Sequence, residues 1–424
     1  MSKLQKLMIG TKEVSEKKNF IWNMAGSTIF AAASMLLSFF MIHILGENQG
    51  GIFSIAITIS QMMAFIAYYE TRTYQVTDVE HRFSFGEYKA VKLLLCVVMM
   101  VVCAVYMFCR EGGFGLKTIV ILLMCVYRMI DGYADLYEGT FQSDGRLDLT
   151  GKSQAFRTLL SAGVLAAGVL CTGNMLLSIL MAIAVAVVGL LLFDVLVMRE
   201  FRDIRPAFSK KAVIGILKEC FPLFVSSFLW TYLLSASRMA IDSNMTSNFQ
   251  SYFQVLFLPV SVINLCATFI MKPVLPRMAE SYNDRNTKDF MKLILRIAFL
   301  IGAFTVICMV GAYLLGIPVL SVLSGCDLKE YRGVLVFLMA AGGVNSLSYM
   351  MYYVLTSMRC TSSILISYLS ASALAAVISG RMVRRGGIMG ASWSFFFAVT
   401  FLLFMFLLFF AFQVHRDWKI KEDA

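Results

Sequence analysis

The sequence predicts an all-α polytopic membrane protein of about twelve transmembrane helices in two six-helix lobes, with both termini cytosolic. Three observations carry that expectation. First, 59% of the 424 residues are hydrophobic and 15% are charged, with a mean hydropathy of +0.76. A soluble chain would have about 45–50% apolar and about 25% charged residues. Second, uncharged apolar runs close to the ~20 residues that cross a bilayer recur from end to end. Third, lysine and arginine concentrate in alternate connecting segments.

The first six runs are Phe20–Leu45, Gly51–Tyr74, Ala90–Phe108, Phe114–Tyr137, Ala155–Cys171 and Met175–Val197. The second six are Val213–Met239, Phe249–Met271, Phe290–Leu315, Val334–Met358, Ser362–Ile378 and Gly387–Phe412. With the N-terminus inside, cytosolic segments hold about 27 of the 37 Lys and Arg and outer loops about 8. Arg381, Arg384 and Arg385 run against this bias, since the topology puts them outside. The longest inner connector, Arg199 to Lys218, is basic and contains Pro206. The expected division is a basic N-terminus (1–18), an N-lobe (19–198), a linker (199–212), a C-lobe (213–414) and a cytosolic tail (415–424). The first eighteen residues lack the short apolar core of a removable signal peptide.

Several chemistries are excluded. The ten cysteines occur singly and form no CxxC pair, and the three histidines lie far apart, so neither a metal site nor a disulfide framework is expected. Gly145 to Ser153, GRLDLTGKS, resembles a phosphate-binding loop but has one residue too many between its glycines, and an apolar helix rather than a strand precedes it. It reads as a turn between the fourth and fifth helices, with Asp148 and Thr150 suited to N-caps. No enzyme site and no cofactor are expected. The net charge of +11 is mostly loop lysine and arginine, which sets topology and meets lipid headgroups, so no nucleic-acid partner is expected.

The chemistry lies in charges inside the apolar runs. Arg128, Asp131, Asp135, Glu138 and Gln142 recur at spacings of three and four, which places them on one face of the fourth helix. A charge at such depth costs about 2.5–3.5 kcal/mol on insertion scales unless it faces protein or water. Glu70 and Arg72 close the second run, and Arg238 and Asp242 close the seventh. Arg72, Arg128, Arg238, Glu70, Asp131, Asp135 and Asp242 are therefore the candidate lining of a hydrophilic cavity. Arginine suits phosphate or diphosphate, because its planar fork donates two bonds to oxyanions. The acidic residues suit a cation or proton, or serve to position the arginines. The plainer alternative is structural pairing of Arg128 with Asp131 and of Arg238 with Asp242. Asn264 and Asn345 read as links between helices.

Four blocks carry a family resemblance: KNFIWNMAGS, RTYQVTDVEHRFSFGEY, YEGTFQSDGRLDLTGKSQAFR and KECFPLFVSSFLWTYLLSASRMAID. They resemble bacterial polysaccharide flippases, the Wzx-like branch of the superfamily that also contains multidrug and toxin extrusion antiporters and lipid II flippases. The resemblance implies a V-shaped, alternating-access transporter in the bacterial cytoplasmic membrane, with a cationic central cavity that holds the diphosphate and sugar while the lipid tail stays in the bilayer. The implied cargo is an undecaprenyl-diphosphate-linked saccharide, flipped to the outer leaflet for cell-surface polysaccharide biosynthesis. It implies a monomer whose partners are that lipid-linked saccharide, membrane lipids, glycosyltransferases and a polysaccharide polymerase. Arg72, Arg128 and Arg238 are the positions that match a diphosphate grip. Glu70, Asp131, Asp135 and Asp242 beside them depart from a strongly cationic cavity and leave a cation-coupled multidrug or metabolite antiporter open as the alternative.

Overall fold

The computed structural model describes residues 8–10, 14–78, 82–113, 115–284, 287–358 and 360–422. The basic N-terminal segment lies partly outside them, as does the end of the tail. The described chain is almost wholly helical. In order the helices are α1 (Glu16–Tyr68), α2 (Thr71–Thr77), α3 (Phe85–Glu111), α4 (Leu116–Ser143), α5 (Leu147–Thr172), α6 (Met175–Met198) and α7 (Lys210–Asn244). There follow α8 (Ser247–Asn283), α9 (Thr287–Gly311, continuing through Ile317–Ser324), α10 (Arg332–Ser357) and α11 (Thr361–Glu422). Eight helices among the described residues are long and apolar enough to span a membrane. Two of these are each a pair of spans, and the charge-bearing α4 and the long α8 complete the twelve expected segments. The chain is a multi-pass membrane protein.

The paired spans share one device. In α1 the helix breaks at Gly46 (φ 79°), and in α11 at Gly387 (φ 54°), a region that favours glycine. The arms then fold back. A Cβ on Gly50 would lie 2.6 Å from Ile42 Cα, and one on Gly390 would lie 2.0 Å from Met382 O. In a straight helix residues eight apart are about 12 Å apart, so these are helical hairpins closed on glycine. Arg381, Arg384 and Arg385 sit in the last turns before the Gly387 break.

Contacts divide the chain into two compact units, Met1–Phe228 and Leu229–Ala424. In the first, α1 packs chiefly on α5 and α4, α5 on α6, and α3 on α4. Two glycines set the α1–α5 crossing: Gly151 lies against the backbone of Trp22, and Gly26 against that of Gly151. The turn before α5 differs from expectation. The helix begins at Leu147, so Asp148 and Thr150 lie inside its first turn rather than capping it. Asp148 is buried between Arg146 (2.9 Å) and Lys152 (2.9 Å). Thr150 Oγ1 donates to Glu138 O (2.9 Å). Lys152 also donates to Met8 O (2.8 Å).

In the second unit α10 is the central helix, packed on α8, α9 and α11. Its small-residue run explains why. Gly342 faces Val260 of α8 and Gly343 faces Thr305 of α9, each too close to admit a side chain without movement. Asn345 Nδ2 donates to Asn264 Oδ1 (2.9 Å), and Ser346 Oγ donates to the same oxygen (2.9 Å). The two asparagines read from the sequence as helix links do meet.

Replacing Gly151 with Ala should destabilise the protein by about 1–3 kcal/mol or more, because its Cβ would lie 2.0 Å from Trp22 O and that atom is backbone. Thermal unfolding followed by size-exclusion chromatography should show the loss. Gly163→Ala, where nothing lies within 4 Å, should leave the transition unchanged.

Candidate functional site

The charged stripe of α4 folds as its spacing requires, along one face of a single helix. Glycines interleave with it and let neighbouring helices approach. A Cβ on Gly132 would lie 2.5 Å from Ala67 Cβ, and one on Gly139 would lie 3.1 Å from Arg72 Cγ. Each acid on the stripe then meets a basic group from another element, and Arg128 pairs with Asp131 along the stripe itself.

Arg157 of α5 is the hub. Its side chain is 2% exposed. Nε faces Asp131 Oδ1 (3.4 Å), Nη2 donates to Glu138 Oε1 (2.8 Å), and Nη1 donates to Asp194 Oδ2 (2.7 Å) and Ser153 Oγ (3.1 Å). Asp194 is fully buried and also accepts from Ser153 Oγ (2.5 Å). It lies in a turn of α6 that widens to the π form over Leu190–Val195, a local device that re-aims a side chain. Gly189, just before that turn, leaves room for the stem of Arg157, whose Cγ would lie 3.1 Å from a Cβ there.

From this hub the network runs both ways. Asp131 also pairs with Arg128 (3.2 Å), whose Nη2 donates to Ser34 Oγ of α1 (2.7 Å) and whose buried Nε has no partner. Glu138 also accepts from Arg72 Nη1 (2.9 Å). Arg72 donates from Nε and Nη2 to Gln142 Oε1 (3.1 and 2.9 Å) and lies 3.6 Å from Asp135. Asp135 accepts from Lys92 of α3 (2.8 Å). Four cations (Arg72, Lys92, Arg128, Arg157) thus meet four anions (Asp131, Asp135, Glu138, Asp194) in one connected, formally neutral network. Arg72 is its most open member, with a side chain 27% exposed against 1% for Lys92.

Lys92 has a second role. Between α1 and α2 the chain takes two left-handed residues in succession, Tyr69 (φ 46°) and Glu70 (φ 53°). Each costs about 1–2 kcal/mol for a residue with a Cβ. The break releases the carbonyls that would have bonded onward, and Lys92 Nζ donates to Ala67 O (3.1 Å) and Tyr68 O (3.0 Å). Tyr69 is held by stacking on Phe224 of α7, with centroids 4.4 Å apart.

The candidate residues therefore separate into three places. Arg72, Arg128, Asp131 and Asp135 meet in the network, and Arg128 does pair with Asp131. Glu70 points elsewhere, to Ser227 Oγ (2.7 Å) and Thr73 Oγ1 (2.7 Å). Arg238 and Asp242 belong to the second unit, where the Arg238 guanidinium lies 4.4 Å from the Phe257 ring centroid and Asp242 is half-buried. Sequence reasoning missed Lys92, Arg157 and Asp194 as members. Asp194 carried a usable signal, a lone acid in the run LLLFDVLV. Arg157 was hidden because α5 starts at Leu147, two turns before the apolar run begins.

Beside the open end of the network, a polar cavity of about 530 Å³ is lined by Gln75, Asp78, Tyr88, Thr140, Asp144 and Arg202, among others. The residues that resembled a phosphate loop are engaged otherwise: Lys152 with Asp148, Ser153 with Asp194, and Gly151 against Trp22. Among the described residues, no group of three or more His, Cys, Asp or Glu is placed to hold a metal ion.

No protein-family model matches the chain, and no curated protein sequence matches it. Solved structures do resemble it in fold. An inward-facing multidrug resistance MATE family transporter of the MOP superfamily superposes with a TM-score of 0.71 at 11% identity, covering 99% of both chains. The lipid II flippase MurJ, in an inward closed conformation, superposes with a TM-score of 0.70 at 11% identity, over 92% of this chain and 87% of the other. A Pyrococcus furiosus MOP superfamily transporter, noted for reversed polarity of its binding pocket, gives 0.55 at 12% identity over 99% of both. These neighbours are transporters and a flippase rather than enzymes. The fold is thus the one that MATE and MurJ transporters share.

Removing the hub should be the most damaging change in the network. Arg157→Met leaves Asp194 without its cation in a buried site, and a destabilisation of about 3–5 kcal/mol is expected. Adding Asp194→Asn should recover part of it, so the double variant should unfold at a higher temperature than Arg157→Met alone. A lower temperature would show that the two do not act as a pair.

Proposed function

We propose that this protein is a flippase for undecaprenyl-diphosphate-linked saccharides, moving them from the cytosolic to the outer leaflet for cell-surface polysaccharide biosynthesis. The observation that supports this most is the state of Arg72. It stands at the open end of a buried ion network, and two of its nitrogens are held by the neutral carbonyl of Gln142. A diphosphate oxygen is the stronger acceptor, since charge-assisted hydrogen bonds are roughly twice as strong as neutral ones. It would displace Gln142 and take the Nε–Nη2 face as a bidentate partner. Glu138 would keep Arg157, and Asp135 would keep Lys92, so each buried carboxylate retains a basic partner during the exchange. Arg128 offers its unpartnered Nε. The adjoining polar cavity, with aromatic and hydrogen-bonding side chains, suits a hydroxyl-rich headgroup. With both termini cytosolic, as the charge bias favours, that cavity opens to the cytosol. The fold shared with a lipid II flippase agrees with a lipid-linked cargo.

A second reading, a cation-coupled multidrug or metabolite antiporter, is favoured by the neutrality of the network, which supplies no excess positive charge for a polyanion. Dye efflux that depends on Na⁺ or H⁺ and fails in Asp131→Asn would establish it.

The deciding experiment is a leaflet assay in proteoliposomes, with fluorescent undecaprenyl-diphosphate oligosaccharide and a membrane-impermeant glycosidase. Protein-dependent loss of protection is expected. Arg72→Ala should weaken substrate binding about ten- to hundred-fold while leaving the unfolding temperature nearly unchanged. Flipping at the native rate in Arg72→Ala would remove the arginine grip.

A further inference from the structure

Arg381, Arg384 and Arg385 run against the charge bias of the connecting segments, and they belong to the second unit. All three are exposed. Spacings of three and four put them on one face of the first arm of α11. Among the described residues no carboxylate lies in ion-pair reach of any of them. The same stripe continues inward from Arg381 as Ile378 and Leu374. These side chains form one wall of a groove of about 640 Å³, and Phe397, Phe401 and Phe404 of the returning arm form the other. Apart from Arg381 and Thr400 the lining is apolar. Ser379 Oγ and Ser394 Oγ, 2.6 Å apart, fix the register of the two arms. That register brings Trp393 within about one residue of the level of Arg381. Trp393 is part-exposed and stacks on Phe397, with centroids 5.5 Å apart. Tryptophan collects at the membrane–water interface, so Arg381 stands at headgroup depth. Phe404 lies ten residues beyond Ser394, or about 15 Å along a helix. Half of the ~30 Å hydrocarbon core is the same distance. The groove is therefore as deep as one leaflet.

We propose that the groove between the two arms of α11 is a binding site for one anionic phospholipid, with its phosphate on Arg381 and one acyl chain laid along Ile378, Leu374 and the phenylalanines of the returning arm. The lipid belongs to the leaflet that holds the Gly387 turn, the outer one by the charge bias. A basic helix face at the membrane surface attracts anionic lipid. The planar fork of Arg381 suits a phosphate, donating two bonds to its oxygens. Arg384 and Arg385, with no acid to balance them, add to the field that selects an anion. A zwitterionic headgroup brings its own cation, which these arginines would repel. An undecaprenyl chain is much longer than one leaflet is deep, so its tail would leave the groove, whereas an acyl chain ends within it. Seated there, the lipid splints the last two spans next to the break at Gly387. The site is built from the second unit alone and does not rest on the flippase reading.

The test uses purified full-length protein in nanodiscs of phosphatidylcholine and phosphatidylglycerol. Native mass spectrometry counts the lipids each protein retains, and thermal unfolding is followed as the phosphatidylglycerol fraction rises. One tightly retained phosphatidylglycerol and a rise in unfolding temperature specific to that lipid are expected. Arg381→Gln should lower its retention about ten-fold, and Arg381→Lys, which keeps the charge and loses the fork, should fall between. Leu374→Trp fills the groove without touching a charge and should also expel the lipid; it carries the test if the arginine variants do not fold. Folded native protein that retains no phosphatidylglycerol overturns the proposal. So does retention that is the same in Arg381→Gln and Leu374→Trp, which would mark a general basic surface rather than this groove. Displacement of the phospholipid by an equal mole fraction of undecaprenyl diphosphate would assign the groove to the polyprenyl tail and overturn it as well. Because no saccharide cargo is present, these outcomes stand whether or not the protein flips one.

Discussion

The first unit is organised by the requirement that a charge withdrawn from water be matched by an opposite charge in hydrogen-bonding contact. Arg157 meets that requirement three times over, for Asp131, Glu138 and Asp194. Because these acids come from α4 and α6, the guanidinium fixes the relative rotation of three helices. A lysine would not serve as well: its ammonium is a point charge, whereas the planar fork presents separate nitrogens to separate carboxylates. The close helix approaches at Gly26, Gly132, Gly139 and Gly151 follow from the same need, since the charges must come within about 3 Å of one another.

Two of the acids that carry chemistry sit where a helix is irregular, and a lysine binds at one of those places. Asp194 lies in the π turn of α6, Glu70 in the left-handed break after α1, and Lys92 caps the carbonyls which that break releases. Irregular backbone within a membrane is tolerated where protein rather than lipid surrounds it and where its freed polar groups find partners. Lys92 is such a partner and simultaneously a member of the ion network. The backbone break and the charge network are thus physically joined: displacing Lys92 would take a donor from Ala67 O, leave Tyr68 O with Thr71 Oγ1, and leave Asp135 with only the longer contact to Arg72.

The span count and the α4 stripe were legible because both follow from short-range regularities: apolar length, and charges at spacings of three and four. The partners of that stripe were less so. Lys92 and Arg157 lie near the ends of apolar runs, where a charge reads as belonging to a headgroup layer, and only the helices' true starts at Phe85 and Leu147 place them deeper. The break at Tyr69–Glu70 had no sequence signal at all, since neither residue is glycine or proline. There Glu70 and Arg72, two residues apart at the close of one run, are turned to different partners by a change of backbone direction. The asparagine link between α8 and α10 was anticipated from two lone amides in apolar runs, whereas Asp148 and Thr150 fell inside a helix because α5 begins at Leu147, with Arg146 at its cap position.

Neutrality bears directly on how such a site would handle an anionic cargo. A carrier must bind and then release, and a ligand moves a conformational equilibrium only by the difference between its affinities for the two states. A cavity with a large surplus of positive charge would hold a diphosphate tightly in both. In a balanced network, by contrast, an arriving phosphate competes with partners already present, and its net gain is the difference between two hydrogen-bonding arrangements. Arg72 is suited to that exchange because its companion on the Nε–Nη2 face is an amide, whose displacement strands no charge. Arg157 is unsuited, because its departure would leave Asp194 buried without a basic partner and take one of two from Asp131 and from Glu138. On this argument the depth of an arginine in the network, rather than its charge, divides the residues that hold the fold from the one free to change partners.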